Sequence, residues 1–169
     1  MKTELLMWLF PVVFMVHEFE EIIFVRRWID RNREELARRF PRLSARMLPL
    51  LERISTASFA FVVAEEFILV SLVTFGAYWF SNYALFIGMV IGYGLHLAVH
   101  VLQFFMFRRY IPAILTSVLT GVYVLYAVYY FYVNGLMPVP DVVIFTVAAV
   151  VVLVLNLALM HKLAEKLGL

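Results

Sequence analysis

The sequence has no cysteine and few charged side chains. Disulfides, iron–sulfur clusters, thiolate zinc sites and a cysteine nucleophile are therefore all excluded. Charged residues make up 15% of the 169 residues and hydrophobic residues 64%, whereas soluble domains average about 45–50% apolar residues. The mean hydropathy is +0.93. This balance excludes an ordinary soluble domain and predicts an all-α, polytopic membrane helical bundle.

Apolar runs of about 20 residues recur along the chain, which is the length a helix needs to cross a bilayer. In lipid such runs form helices because every backbone polar group must be satisfied internally. We therefore expect about five transmembrane helices in a single domain covering residues 1–169. The predicted spans are residues 4–26, 55–80, 82–107, 112–133 and 139–161, each to within a few residues.

The segment between the first two predicted spans, residues 27–54, is rich in arginine and interleaves it with Trp28, Leu36 and Phe40. An interfacial helix or helical hairpin and a plain charged loop explain this pattern equally well. The positive-inside rule places this basic segment in the cytoplasm, with the N-terminus outside and the C-terminus cytoplasmic. Such a segment beside a membrane is no evidence for nucleic acid, and none is expected as a partner.

Three predicted spans carry ionisable side chains where lipid disfavours them. A carboxylate at the bilayer centre costs roughly 2.5–3.5 kcal/mol on insertion scales. Counted from the predicted cytoplasmic ends at about 1.5 Å per residue, all of these side chains lie roughly 8–18 Å inside the boundary, in one layer. They are His17, Glu18, Glu20 and Glu21 in the first span, Glu65 and Glu66 in the second, and His96 and His100 in the third.

Helical spacing divides these side chains between ligands and supporting groups, because residues three and four apart share a helix face. Glu18 is turned about 100° from His17, so it is expected beside the ligands. Glu65 and Glu66 are adjacent and cannot both point straight inward. Glu18 and Glu66 are also acid–base candidates. The predicted metal ligands are His17, Glu20, Glu21, Glu65, Glu66, His96 and His100, supported by Glu18, Tyr93 and Gln103.

The charge of this layer favours bound cations. Five carboxylates at low dielectric repel one another by several kcal/mol per pair at separations of a few ångström. Two divalent ions would cancel four of these charges, and inward Glu and His three residues apart build di-iron and di-manganese proteins. Imidazole and carboxylate without thiolate favour Fe or Mn and also allow Zn. We therefore expect divalent metal ions, two in number.

These features predict a metal-dependent membrane enzyme that acts on a lipid-like substrate by oxidation or hydrolysis. One alternative is a glutamate/histidine or single-zinc intramembrane hydrolase or protease. Another is a proton or ion transporter, or a non-catalytic metal-binding membrane protein. Membrane lipid is the expected partner, the expected location is the cell membrane, and the third or fifth span could form a homodimer face. Arg108, Arg109 and Tyr110 are predicted to anchor the inner interface and hold a lipid phosphate.

The run His17-Glu18-Phe19-Glu20-Glu21 resembles the signature of the HXXEE domain family, which comprises small multi-span integral membrane proteins. The resemblance covers roughly the first four spans, and it implies a membrane enzyme or metal protein without supplying a reaction. In the family pattern the position of Glu18 is variable, and glycine often stands where this chain has Ala113. The other matching positions are Glu65, Glu66, His96, His100, Arg108, Tyr110 and Pro112.

Overall fold

A computed structural model describes residues 2–51 and 54–167. These residues form six α-helices and no strand, which confirms the all-α prediction. Glu52 and Arg53, at the end of the predicted basic segment, lie outside the described residues. The helices are α1 (Lys2–Arg39), α2 (Pro41–Leu51), α3 (Thr56–Trp79), α4 (Tyr83–Phe107), α5 (Ile114–Val133) and α6 (Val139–Lys166).

Four of the six described helices, α3 to α6, are long and apolar enough to cross a membrane. Their ends lie within a few residues of the second to fifth predicted spans. Side-chain caps explain two of the starts, because a cap satisfies backbone N–H groups that lack a partner in the first turn. Ser55 Oγ accepts a hydrogen bond from Ser58 N at 2.9 Å, and Asn82 Oδ1 accepts one from Leu85 N at 3.0 Å.

The first helix is longer than the predicted span. α1 has 38 residues in all and continues past the predicted end of the span to Arg39. Residues 27–39 are mostly good helix formers and contain neither glycine nor proline, so nothing in the sequence stops the helix. Ile29 is buried, and Trp28 and Leu36 pack against the end of α4. The basic segment is therefore largely helical, in the second half of α1 and in α2.

The five long helices form a ring around a shared interior. α1 packs against α3 and α5, α4 packs against α5, α6 and α3, and α3 also packs against α6. α1 reaches across to α4 through aromatic rings, since Phe10 lies 5.9 Å from Phe86 and 5.5 Å from Tyr93 between ring centroids. Phe10 and Phe86 are fully buried. Aromatic packing thus joins α1 to α4 across the interior.

Glycines on α4 permit close approach of its neighbours, as small residues do in membrane helix packing. A Cβ atom on Gly88 would lie 2.6 Å from Phe145 Cβ on α6. A Cβ atom on Gly94 would lie 2.9 Å from Val124 Cγ1 on α5. α4 is therefore held tightly between α5 and α6, which positions the histidines on its inner face.

The connection between α4 and α5, residues 108–113, packs against the arginine-rich part of α1, residues 26–39. We call these two segments together the basic end. Trp28 Nε1 donates to the Tyr110 carbonyl at 2.9 Å, and Arg39 Nη1 donates to the last carbonyl of α4 at 2.5 Å. Arg108 and Ala113 have φ values of 57° and 72°. Left-handed backbone favours glycine. The conformation of Ala113 therefore explains why the family pattern often has glycine at this position.

Candidate metal centre

Two helices supply a compact group of three histidines and one glutamate. His17 and Glu21 are four residues apart on α1, and His96 and His100 are four apart on α4. Each pair therefore lies on one helix face. One ligand atom from each of the four side chains lies within 4.8 Å of the other three. His17 is fully buried and His100 is 8% exposed. We call this group the His–Glu cluster.

The contacts within the His–Glu cluster have the spacing of donors on one metal ion. His96 Nε2 lies 3.2 Å from His17 Nε2 and 3.0 Å from His100 Nε2. His100 Nε2 also lies 3.0 Å from Glu21 Oε1. Donors at about 2.0–2.1 Å from a metal are roughly 3.0 Å apart in cis octahedral geometry and roughly 3.4 Å apart in tetrahedral geometry. The observed distances fall within this range.

Thr116 on α5 fixes the orientation of the His17 ring. Its hydroxyl donates to Glu20 Oε2 at 2.7 Å, because a carboxylate can only accept. The hydroxyl has one hydrogen, so His17 Nδ1, at 3.1 Å from Thr116 Oγ1, is the donor in that contact. His17 Nε2 then carries a lone pair directed into the cluster. This is the arrangement that supporting hydrogen bonds impose on metal-ligating histidines.

Protons alone do not satisfy the His–Glu cluster. Because His17 Nε2 carries a lone pair, His96 can donate to it and His100 can donate to Glu21. The two protonated nitrogens of His96 and His100 would then lie 3.0 Å apart with neither able to accept a hydrogen bond from the other. Any other placement of protons also leaves one of the three contacts without a hydrogen of its own. A metal cation would accept all of these lone pairs together.

Glu20, a predicted ligand, lies behind the His–Glu cluster rather than in it. Its Oε1 accepts from the Tyr110 hydroxyl at 2.7 Å, and its Oε2 accepts from Thr116 N at 2.9 Å. Partial burial of the phenol and its hydrogen bond to the Glu20 carboxylate raise the pKa of Tyr110 to about 12. Tyr110 therefore remains a donor at physiological pH. Glu20 thus supports His17 through Thr116.

Glu18 and Glu66 face a cavity of about 430 Å³ that extends from the cluster between α1, α3, α4 and α6. Glu21 and His96 line the same cavity. Glu18 is 4% exposed and Glu66 is 7% exposed. Among the described residues Glu66 Oε1 has no hydrogen-bond partner. An unsatisfied buried acceptor is costly, so this oxygen is placed to meet a ligand or a proton.

Glu65, adjacent to Glu66, has a different environment. Its Oε2 accepts from Asn156 Nδ2 on α6 at 2.6 Å, and it does not line the cavity. The sequence left open which member of this pair faces the cluster. Glu66 is the one that faces the cavity, whereas Glu65 joins α3 to α6.

Tyr93 and Gln103, the two predicted supporting residues on α4, differ in whether they contact the His–Glu cluster. The Tyr93 hydroxyl donates to Thr120 Oγ1 at 3.0 Å, and its ring packs edge-on against His17 at 5.7 Å between centroids. Gln103 is exposed. Gln103 shares the helix face of the histidines but lies three residues beyond His100, about 4.5 Å further along α4, and it does not line the cavity next to the cluster. Tyr93 therefore supports the cluster, and Gln103 lies outside it.

The predicted phosphate-binding set at the basic end does not converge. Arg109 Nη1 pairs with Glu35 Oε2 on α1 at 2.6 Å, and the Tyr110 hydroxyl bonds to Glu20. Arg108 is exposed and ends α4 in a left-handed conformation. Two of the three side chains, Arg109 and Tyr110, thus bond the α4–α5 connection to α1, and the bond of Tyr110 is to the Glu20 carboxylate that supports His17 through Thr116.

Thr116 and Asn156 were absent from the prediction, although both contact predicted site residues. Each is a polar residue within a long, mostly apolar helix. Such residues are common in membrane helices, where they hydrogen-bond across to a neighbour. That polarity was the available signal, but the partner of each residue depends on which helices become neighbours.

No curated protein and no solved structure matches the chain significantly. The family described as "Protein of unknown function with HXXEE motif" matches residues 8–130. This range contains all four residues of the His–Glu cluster, and His17, Glu20 and Glu21 supply the letters of the motif. Because the match extends over well over half of the chain, this protein belongs to the HXXEE family.

Proposed function

We propose that this protein is a metal-dependent integral membrane enzyme that acts on a lipid-like substrate. One observation carries the proposal: three imidazole nitrogens and the Glu21 carboxylate converge beside an apolar cavity. Ionisable groups within membrane helices are costly and commonly mark functional sites. A bound cation would offset the carboxylate charge and use the lone pairs that protons leave unsatisfied.

The donor set limits the metal. Nitrogen and carboxylate donors suit Fe, Mn and Zn, and three histidines with one carboxylate would also serve a single-zinc hydrolase. The His–Glu cluster accounts for one ion. The second ion expected from the charge of the layer would use Glu18 and Glu66, the other two carboxyl groups that line the cavity. Fe or Mn would direct the site to oxidation, and Zn would direct it to hydrolysis.

Protein side chains beside the cluster supply the remaining chemistry. A bound metal ion would provide Lewis acidity and activate water, or O₂ if it is redox-active. Glu18 and Glu66 line the cavity next to Glu21, within reach of a molecule held there. Carboxyl groups in such a position act as general acids or bases. If the His–Glu cluster holds a single ion, this pair transfers protons; if a second ion binds, the two carboxyl groups serve as its ligands instead.

The cavity supports a lipid-like substrate. Its volume of about 430 Å³ falls in the range of roughly 300–1,000 Å³ that is usual for small-molecule sites. Most of the lining residues are Phe, Leu, Val and Ala from four of the long helices. A ligand that enters between membrane helices from the bilayer would be apolar over most of its length.

The proposal also includes placement in the cell membrane with α1 as a fifth span. α1 packs between α3 and α5, and the arginines of the basic end satisfy the positive-inside rule if that end is cytoplasmic. The absence of cysteine makes single-cysteine labelling straightforward. Thr3→Cys should react with an impermeant maleimide from outside intact cells, and Lys166→Cys only after lysis. The reverse pattern would overturn this topology.

Elemental analysis of the purified protein, made without added metal, tests the proposal. We expect one or two transition-metal ions per chain, lost in His17→Ala and in His100→Ala. His161→Ala on α6 is the matched control, because His161 lies outside the His–Glu cluster, and it should retain the metal. Metal-free protein that still turns over lipid would contradict the proposal. An absorption band from an oxo-bridged iron pair would indicate oxidation, and stoichiometric zinc would indicate hydrolysis.

A proton or ion transporter is the second candidate, favoured by the buried Oε1 of Glu66, which has no hydrogen-bond partner in the part of the chain that the structure describes. Ionisable chains of this kind also relay protons in pumps. Proton flux across proteoliposomes containing metal-free protein, abolished by Glu66→Gln and preserved in Glu65→Gln, would select the transporter.

A further inference from the structure

The polar lining of the cavity is acidic. Glu18, Glu21 and Glu66 contribute three carboxyl groups, His96 and His161 contribute imidazoles, and no lysine or arginine is among the described residues that line it. The Tyr93 hydroxyl is already donated to Thr120. Any of these carboxyl groups that is ionised would repel an anion, and the described lining holds no lysine or arginine to offset that repulsion. An anionic head group would therefore meet like charge in a low-dielectric space.

The apolar lining of the cavity is long enough for an extended chain. Along α6 it runs from Phe145 to His161, about 24 Å at roughly 1.5 Å per residue. The carboxyl groups lie partway along it, with apolar side chains from α3 on both sides, from Phe59 to Val73. A single chain fits this shape, with its polar group in the interior of the membrane.

The oxygen left without a partner indicates what that polar group is. Glu66 is 7% exposed, its Oε1 has no hydrogen-bond partner among the described residues, and it lines the cavity. A carboxylate can only accept hydrogen bonds. A ligand with an O–H or N–H group would satisfy this oxygen, whereas a ligand with only acceptors would leave it unsatisfied.

We infer that the cavity takes a long-chain lipid whose head group donates a hydrogen bond and carries no negative charge, with a long-chain alcohol as the simplest member. This inference deepens the proposed function and depends on it only in calling the lipid a substrate. Binding of the alcohol itself requires no metal. Phospholipids and ionised fatty acids are excluded by the acidic lining.

Two probes with the same chain test the head group: hexadecan-1-ol and hexadecanoate, titrated against the full-length protein at about pH 8, where the fatty acid is ionised. Native mass spectrometry measures the bound fraction of each. We expect the alcohol to bind at least about tenfold more tightly than the carboxylate, which corresponds to about 1.4 kcal/mol. Equal or tighter binding of hexadecanoate would overturn the inference.

The adjacent glutamates provide a matched pair of variants. Glu66→Gln keeps the shape of the side chain but removes its charge and adds a donor, so it should reduce the preference for the alcohol to within about threefold. Glu65 does not line the cavity, so Glu65→Gln should keep the full preference for the alcohol over the carboxylate. If the preference is unchanged in Glu66→Gln, Glu66 does not recognise the head group and the inference fails.

A second pair of variants tests where the chain lies and does not depend on the glutamates. Ala149 lines the cavity, whereas Val151 does not and is 50% exposed. Ala149→Phe should weaken binding of hexadecan-1-ol by at least about tenfold, and Val151→Phe should leave it unchanged. Equal effects of the two variants would overturn the assignment to this cavity.

The outcomes separate the inference from the proposed function. Protein that holds no metal but prefers the alcohol would contradict the enzyme proposal and support the inference about the ligand. Protein that holds metal through the His–Glu cluster but binds the two probes equally would support the metal site and overturn this inference.

Discussion

Helices α1 and α6 are both long enough to cross a membrane, yet they are opposite in composition and position. Only 6% of the most apolar stretch of α6 is buried, and this helix meets the composition expected of a membrane span. α1 is not among the four helices that meet it, but its polar side chains are enclosed. His17, Glu18 and Glu20 are 0%, 4% and 6% exposed.

The two helices show that in this protein an apolar composition accompanies an exposed helix surface, whereas the polar side chains of α1 are enclosed. Lipid tails are as apolar as leucine, so burying apolar side chains gives helices little reason to associate in a bilayer. Charged side chains do give them a reason, because each must find a partner away from lipid. The helix that is least like a membrane span by composition therefore carries the candidate chemistry.

The largest expected effect comes from removing a charged ligand from α1. Glu21→Gln should lower metal affinity by more than about 100-fold, beyond the roughly 10–100-fold typical of supporting residues. Glu165→Gln on α6 is the matched control, since Glu165 is exposed, and its metal affinity should equal that of the wild type. Competition with a chelator measures both. Equal affinities in the two variants would remove the distinction between the helices.

The next effect comes from a partly buried threonine on α5 that supports α1, compared with a partly buried threonine on α6. Thr116→Val removes the hydroxyl between His17 and Glu20 and should weaken metal binding by about 10–100-fold. The Thr146 hydroxyl on α6 is buried without a partner among the described residues. Thr146→Val should therefore leave metal binding unchanged and stability unchanged or raised. A larger loss of metal in Thr146→Val would contradict this comparison.

A third variant tests whether α6 is held mainly by close backbone packing. Gly88→Ala brings a Cβ atom to 2.8 Å from the Phe145 backbone and should destabilise the fold by about 1–3 kcal/mol. Gly121→Ala has open space and should stabilise α5 by up to about 1 kcal/mol. Unfolding in a denaturing detergent measures both. If Gly88→Ala is as stable as the wild type, the α4–α6 contact is looser than described.

The smallest expected effect comes from a polar contact of α6. Asn156→Leu removes the hydrogen bond to Glu65, which is 2.6 Å long, and should cost about 1 kcal/mol of unfolding free energy. Metal content should not change, because neither residue belongs to the His–Glu cluster. A double-mutant cycle with Glu65→Gln isolates the contact. Loss of metal in Asn156→Leu would show that α6 also contributes to the centre.

Much of the fold could be predicted from the sequence. The four apolar helices α3 to α6 each follow from a continuous run of sufficient length, and their ends follow from capping and turn residues. The end of α1 could not be predicted in this way, because a drop in hydropathy marks where lipid ends and does not mark where a helix ends. The helix formers after Arg26 continue α1 to Arg39.

Within the candidate centre, spacing predicted that His17, Glu20 and Glu21 share one face of α1 and that His96 and His100 share one face of α4. It did not separate Glu20 from Glu21, which are adjacent and differ by about 100° of rotation. That rotation is enough to direct Glu21 to His100 and Glu20 to Thr116 on another helix. The same rotation separates Glu66, which faces the cavity, from Glu65, which bonds to Asn156.

From the sequence alone it follows that the protein is all-α, that several of its helices are long and apolar enough to cross a membrane, and that histidine and glutamate recur at similar depths within these helices. These features follow from local rules, since lipid requires helices of a given length and disfavours unpartnered charge. Which four side chains meet, which residue orients His17 and which carboxyl groups face the cavity emerge only in the folded structure. These depend on how each helix is rotated and which helix is its neighbour, and packing across the whole ring sets both.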